Sequence, residues 1–151
     1  MNYQIAKAEV SQAEVLAELI NQHELTIDPE STSIGLEECK EIIEGFFDPA
    51  IAAFMFTEGI EEPSAFYSVN PDATRKRLFT DVYARPGSNL IKQALIESLK
   101  AAATEFSDYE HWYGVNTKDA VMRSALESLG MEVIRTYWPV SYTHLTLPTK
   151  A

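Results

Sequence analysis

A tight turn between a strand and a helix is the part of this sequence best suited to chemistry. Alternation along Leu78–Arg85 indicates a strand with two distinct faces. Pro86 and Gly87 then end the strand, and Ser88 or Asn89 can cap the following helix. The start of a helix presents unbonded backbone N–H groups, which bind anions such as phosphate. The pattern therefore predicts either a phosphate-binding turn or an ordinary strand–turn–helix without a ligand.

The length and charge of the chain restrict its organisation and its partners. At 151 residues, it fits one domain that is large enough to bury a core. A net charge of -11 argues against nucleic acid and against an anionic membrane surface, since both require basic patches. The charge would suit a small cationic partner, although acidic surfaces also serve solubility alone.

The single cysteine, Cys39, excludes an internal disulfide and favours a reducing, cytoplasmic compartment. The first ten residues carry no signal-peptide pattern, and the apolar runs are too short to span a membrane. The three histidines and this cysteine lack the spacing of a metal site. His23 continues the apolar face of the first helix, which favours a partly buried structural role.

Hydrophobic periodicity and turn residues predict an alternating order of strands and helices around this turn. Ser11 and Glu14 form a capping-box pattern for the first helix, which is expected to end near His23. Asn70–Asp72 reads as a turn, and Asn116 with Asp119 can cap the last helix, before Gly130. The predicted strands are 3–8, 51–57, 64–69, 75–84, 109–115 and 131–138, and the predicted helices are 11–23, 36–44, one after residue 89 and one after residue 119.

The C-terminal segment has an unusual sequence. Val140–Thr149 reads VSYTHLTLPT, which resembles a translated transposase-end adapter from sequencing libraries. We therefore expect a natural domain over residues 1–139, truncated near Pro139, and a non-native tail over 140–151. On this interpretation, His144 has no catalytic role.

Two blocks of sequence resemble the GNAT superfamily of acetyl-CoA-dependent N-acetyltransferases. They are DVYARPG at the end of the central strand and NTKDAVMRSALESLGMEVIRTYW near the end. Leu129-Gly130-Met131 stands where the family has Leu-Gly-Phe, and RTYW resembles tandem GNAT proteins related to mycothiol synthase. The resemblance implies an α/β (α+β) fold with a central mixed, mostly antiparallel twisted sheet, flanked by about four helices.

The resemblance also implies a cofactor site, with acetyl-CoA as co-substrate. Its expected residues are Val82, Tyr83, Ala84, Gly87, Ser88, Asn89, Leu90 and Asp119. The family cradles pyrophosphate on a glycine-rich loop, whereas this turn is shorter and keeps only Gly87. The tyrosine that often protonates the departing thiolate aligns with Leu126, which has no proton to donate. Asp119 replaces an asparagine, and its charge would be unfavourable beside an anionic cofactor.

Acetyl transfer to an amine requires a base for the ammonium proton and an N–H donor for the developing oxyanion. The candidate catalytic residues are Asp81, Glu110 and Tyr83, with Tyr113 as a second phenol. A backbone N–H within 82–84 could serve as the oxyanion donor. Each of these side chains could instead be a surface or strand-packing residue.

Three functions are consistent with these observations. The first is an N-acetyltransferase acting on a small, possibly cationic amine. The second is a degenerate GNAT domain that serves as scaffold beside a missing second GNAT domain. The third is a homodimeric binding module that uses an exposed sheet edge.

Overall fold

The computed structural model describes residues 2–46 and 48–132. These residues form one five-stranded sheet in the order β1-β2-β3-β4-β5. The strands are β1 (Tyr3–Lys7), β2 (Ile51–Thr57), β3 (Ala65–Asp72), β4 (Arg77–Ala84) and β5 (Glu110–Tyr113). The helices are α1 (Ala13–Ile27), α2 (Leu36–Glu44), α3 (Ile91–Glu105) and α4 (Ala120–Ser128), with a short 3₁₀ turn at Val10–Gln12.

The first four strands pair antiparallel, and β5 pairs parallel to β4. A parallel neighbour requires a crossover, which α3 provides between β4 and β5. The prediction of a mixed, mostly antiparallel sheet with flanking helices is therefore confirmed.

The sheet separates two hydrophobic clusters. One face packs against α3 and α4, through Met55, Tyr67, Val82 and Leu95 among others. The opposite face packs against α1 and α2, where the cluster includes Leu16, Cys39, Phe54 and Phe66. Strand β4 alternates between the two faces as its sequence predicts, because successive side chains of a strand point to opposite sides.

Three local predictions are wrong. The capping box is formed by Glu9 and Gln12 on the 3₁₀ turn that precedes α1, rather than by Ser11 and Glu14, and α1 continues to Ile27. Residues 70–72 extend β3, because they pair with 77–79 of β4, so the turn lies at 73–76 instead.

The start of α3 also differs from the prediction. The N-cap is Leu90, which has no side-chain oxygen, rather than Ser88 or Asn89. Most of the predicted strand 131–138, and the whole adapter-like tail, lie outside the described residues.

Within the described ranges, no helix combines the length and apolar character needed to cross a membrane. The same residues contain no group of three or more His, Cys, Asp and Glu side chains that could hold a metal ion.

The glycine at the end of α2 provides a stability test. Gly45 has φ +109°, and an added Cβ would lie 2.1 Å from the carbonyl oxygen of Asp48. Gly45→Ala is therefore expected to lower the free energy of unfolding by at least about 2 kcal/mol, because strain and a backbone clash add. The measurement is urea denaturation followed by circular dichroism.

Gly59→Ala is the matched control for this prediction. Gly59 also has a positive φ, +82°, but an added Cβ would meet nothing within 4 Å. Gly59→Ala should therefore lower the free energy of unfolding only through backbone strain, by about 1 kcal/mol. Equal losses for the two variants would show that the contact with Asp48 does not matter.

Candidate active site

The end of β4 has one open edge. Its pairing with β5 stops at Thr80, opposite Tyr113, and among the described residues 81–84 pair only with β3. The N–H and C=O of one strand residue point to the same edge. Because the Arg85 N–H donates to Ser64 O at 2.8 Å, on the β3 side, the backbone groups of Ala84 point the other way. We call this gap beside residues 81–84 the β4 notch.

A histidine from α1 occupies the β4 notch. His23 Nδ1 lies 3.1 Å from the amide nitrogen and 3.2 Å from the carbonyl oxygen of Ala84. His23 Nε2 lies 3.2 Å from Asp119 Oδ2. The two residues are only 8% and 7% exposed. Since α1 and α4 pack on opposite faces of the sheet, this His23–Asp119 bridge passes through the notch from one face to the other.

The protonation state of His23 decides which backbone group of Ala84 is bonded. A neutral ring with its proton on Nε2 donates to Asp119 and accepts from the Ala84 N–H. A charged ring donates from both nitrogens, to Asp119 and to the Ala84 carbonyl, and the Ala84 N–H then loses its acceptor. Burial opposes the charge, but the hydrogen bonds to Asp119 and Ala84 outweigh it, so the pKa of His23 is raised.

Asp119 has a second function, as the N-cap of α4. Its Oδ1 accepts a hydrogen bond from the Met122 N–H at 3.0 Å, as the sequence predicts. Burial alone would raise the pKa of Asp119. The hydrogen bonds with His23 and Met122 have a larger effect in the opposite direction, so the pKa of Asp119 lies below its ordinary value. The carboxylate is therefore ionised at neutral pH.

The turn after β4 retains features of an anion site. Gly87 and Asn89 have positive φ values of 84° and 59°, and Leu90 leaves the first turn of α3 without a side-chain cap. Ser88 Oγ and Gln93 Oε1 are buried and have no hydrogen-bond partner in the described part of the chain. The uncapped N–H groups and the Ser88 hydroxyl could donate hydrogen bonds to a phosphate oxygen.

Asp81 lies on the α1–α2 face of the sheet, next to the notch. Burial, followed by the negative charge of Glu24, raises its pKa to about 6. Tyr83 shares this face, and its ring meets His23 edge-on at 5.5 Å between ring centres. Burial and the charge of Asp81 hold the pKa of Tyr83 well above 10, so the phenol stays protonated at neutral pH. The structure therefore places a weakly acidic carboxyl and a neutral phenol on one face.

Sequence reasoning missed two polar side chains on this face. Ser68 lies directly opposite Asp81 in the sheet, and Asn70 lies diagonally beyond it. Asn70 is 2% exposed; its Nδ2 donates to Ser68 Oγ, and its Oδ1 has no hydrogen-bond partner among the described residues. Ser68 lies within the predicted strand 64–69, and continued alternation past Val69 could have indicated the position of Asn70, but residues 70–72 read as a turn.

The structure does not bring the other candidates close to Asp81: Glu110 shares its face of the sheet but lies at the far end of β4, and Tyr113 lies on the opposite face. Glu110 forms an ion pair with Arg77 at 3.5 Å. Arg77 precedes Asp81 by four residues in β4, so Glu110 lies about 13 Å along the strand from Asp81. Tyr113 lies towards α3, with its hydroxyl 3.0 Å from Ser98 Oγ. His111 shares that side, and burial lowers its pKa. The position aligned with a family tyrosine, Leu126, is part of the core.

No protein-family model matches the chain, and no curated protein matches its sequence. Solved structures do match.

The PaiA N-acetyltransferase of Thermoplasma acidophilum, solved with coenzyme A, superposes with a TM-score of 0.71 at 16% identity, over 91% of this chain and 94% of that one. A GNAT-family acetyltransferase of Streptococcus pneumoniae superposes with a TM-score of 0.64 at 17% sequence identity, over 85% of this chain and 84% of that one. A putative acetyltransferase of Salmonella typhimurium, solved with acetyl-CoA, superposes with a TM-score of 0.62 at 17% sequence identity, over 86% of this chain and 79% of that one. The chain therefore has the fold of the GNAT acetyltransferases.

Proposed function

We propose that this protein is an acetyl-CoA-dependent N-acetyltransferase that acts on a small cationic amine. The main support is the open edge of β4. It lies between the carboxyl of Asp81 and the turn before α3, whose uncapped backbone N–H groups can bind an anion. Two proteins with the same fold were solved with coenzyme A or acetyl-CoA bound.

The cofactor would bind along this edge. Acetyl-CoA supplies an activated acetyl thioester. The backbone N–H groups of 87–90 and the first turn of α3 would hold its pyrophosphate, and Ser88 Oγ would add a donor. The open-edge backbone groups of Val82 and Ala84, on either side of Tyr83, would align the rest of the molecule, as an added strand aligns on a sheet edge.

Asp81 would be the general base. With a pKa of about 6, it is mostly ionised at neutral pH, yet it is more basic than an ordinary aspartate. The protonated phenol of Tyr83 would donate to the leaving thiolate. Glu24 and Asn70 Oδ1, which has no hydrogen-bond partner among the described residues, would accept hydrogen bonds from the remaining N–H groups of the substrate ammonium, which favours a cationic substrate.

One observation supports the alternative of a non-catalytic scaffold domain. His23 already bonds the Ala84 backbone that the cofactor would need. If the His23–Asp119 bridge never opened, the domain would keep its fold without binding acetyl-CoA.

A thermal-shift titration with acetyl-CoA tests the proposed function. Ligand at about a hundred times its dissociation constant should stabilise the folded state by about 2.7 kcal/mol. Gly87→Pro should abolish that shift, because proline cannot adopt the observed φ of +84°.

Gly59→Pro is the matched control, since Gly59 also has a positive φ but lies in the β2–β3 turn, outside the proposed phosphate-binding turn. It should lose stability and keep the ligand-induced shift. A wild-type protein that shows no shift at about millimolar acetyl-CoA would exclude the enzyme hypothesis.

A further inference from the structure

The contacts of His23 with Ala84 are those that a bound ligand would make. Strand edges bind extended ligands through the N–H and C=O of alternate residues. At Ala84, both groups lie within 3.2 Å of one imidazole nitrogen, at a buried position. No extended ligand can bond to the Ala84 backbone while the ring remains there.

From this geometry we infer that His23 and Asp119 form an internal latch, which competes with acyl-CoA for the Ala84 edge of β4. The inference rests on the proposed function, because it concerns access of the cofactor to that site. Binding then requires the ring to leave the notch, so the measured affinity is the intrinsic affinity reduced by the fraction of molecules with an open notch.

The surroundings of the latch permit such an opening. Asp119 uses Oδ2 for His23 and Oδ1 for the Met122 N–H, so the cap of α4 survives when the ring moves away. The two segments also have a separate connection, since Lys118 Nζ lies 3.2 Å from Asp28 Oδ2 at the end of α1. The bridge can therefore break while the ion pair continues to hold the segments together.

The latch should respond to pH. His23 is faced by Asp119 at the start of α4, by Tyr83 and the Ala84 backbone on β4, and by Glu24 on its own helix. The pKa of His23 is raised while the bridge is closed. The bridge is therefore strongest at mildly acidic pH, where the ring is charged, and weakens as the pH rises through the pKa of His23. Affinity for acyl-CoA should accordingly increase with pH.

The test is calorimetric titration of the full chain with coenzyme A at about pH 5.5 and about pH 8.5. At the lower pH, His23→Ala should bind about tenfold more tightly than wild type, because the competitor is gone. Asp119→Asn keeps a capping side chain and removes the charge, so it should bind with intermediate affinity and a weaker pH dependence. Asp28→Asn is the control: it breaks the neighbouring ion pair, leaves the notch closed, and should bind as wild type does.

A second measurement uses the unaltered protein, in case His23→Ala does not fold. The chain has three histidines, so the ring ¹⁵N signals can be resolved and followed during a pH titration. Saturating coenzyme A should return the His23 pKa towards its ordinary value, because the ring leaves Asp119. If coenzyme A binds but the His23 signals do not change, or if wild type and His23→Ala bind it with equal affinity at about pH 5.5, the latch is overturned and the acetyltransferase proposal still stands. Absence of binding by both proteins would overturn the acetyltransferase proposal and the latch with it.

Discussion

Replacing Asp81 with asparagine is expected to lower the rate of amine acetylation by about 10²–10⁴-fold. This is the usual contribution of a positioned general base, and an amide cannot accept the ammonium proton. The loss should appear in kcat more than in KM, since asparagine keeps the size and hydrogen-bonding atoms of the side chain. The measurement is steady-state release of coenzyme A thiol with a small diamine as acceptor.

The pH profile adds a second signature of Asp81. Below about pH 6, the wild-type carboxyl becomes protonated, so kcat measured at saturating acetyl-CoA should fall on that side; in Asp81→Asn this acid limb of kcat should be absent. Folding stability should not decrease, because a raised carboxyl pKa means that the folded state disfavours the charge which asparagine removes.

Glu110→Gln is the matched control, since it also replaces a carboxylate on the sheet by its amide. Glu110 pairs with Arg77 away from the notch, so its rate should remain close to that of wild type. If Glu110→Gln lost activity and Asp81→Asn did not, the assignment of the base would be reversed.

The largest stability effect is expected for Phe54→Ala. Phe54 is 1% exposed and packs against Phe66, with 5.3 Å between ring centres, beneath α1 and α2. Removing a buried phenyl ring loses its transfer free energy and leaves a cavity, which typically costs about 3–5 kcal/mol. Urea denaturation followed by tryptophan fluorescence measures this loss as a lower midpoint.

Phe46→Ala makes the same chemical change on the surface, where the side chain is 51% exposed. Its free energy of unfolding should change by less than about 1 kcal/mol. Similar losses for the two variants would contradict the assignment of Phe54 to the core of the α1–α2 face. Unfolding should also impair the site, because this face supports Asp81 and Tyr83.

Short-range patterns predicted the elements well where the deciding interactions are local. The acidic first turn and apolar face of α2 predicted Leu36–Glu44, which is the observed helix. Asp119 caps α4 as expected, since a cap depends on residues three positions apart. Pairing with β4 overrode turn chemistry at residues 70–72, because ladder hydrogen bonds compensated there for turn-forming residues.

The sequence by itself thus determined the order of elements over the described residues, the two faces of β4 and the turn that follows this strand. Each of these follows from the period of a strand or helix, or from the dihedral angles that proline and glycine allow. Only the tertiary structure decided what fills the open edge of β4. His23 lies 61 residues from Ala84 and 96 from Asp119 in sequence, so no local pattern relates the three. They meet because α1 and α4 pack on opposite faces of the sheet, beside the point where β5 stops pairing with β4.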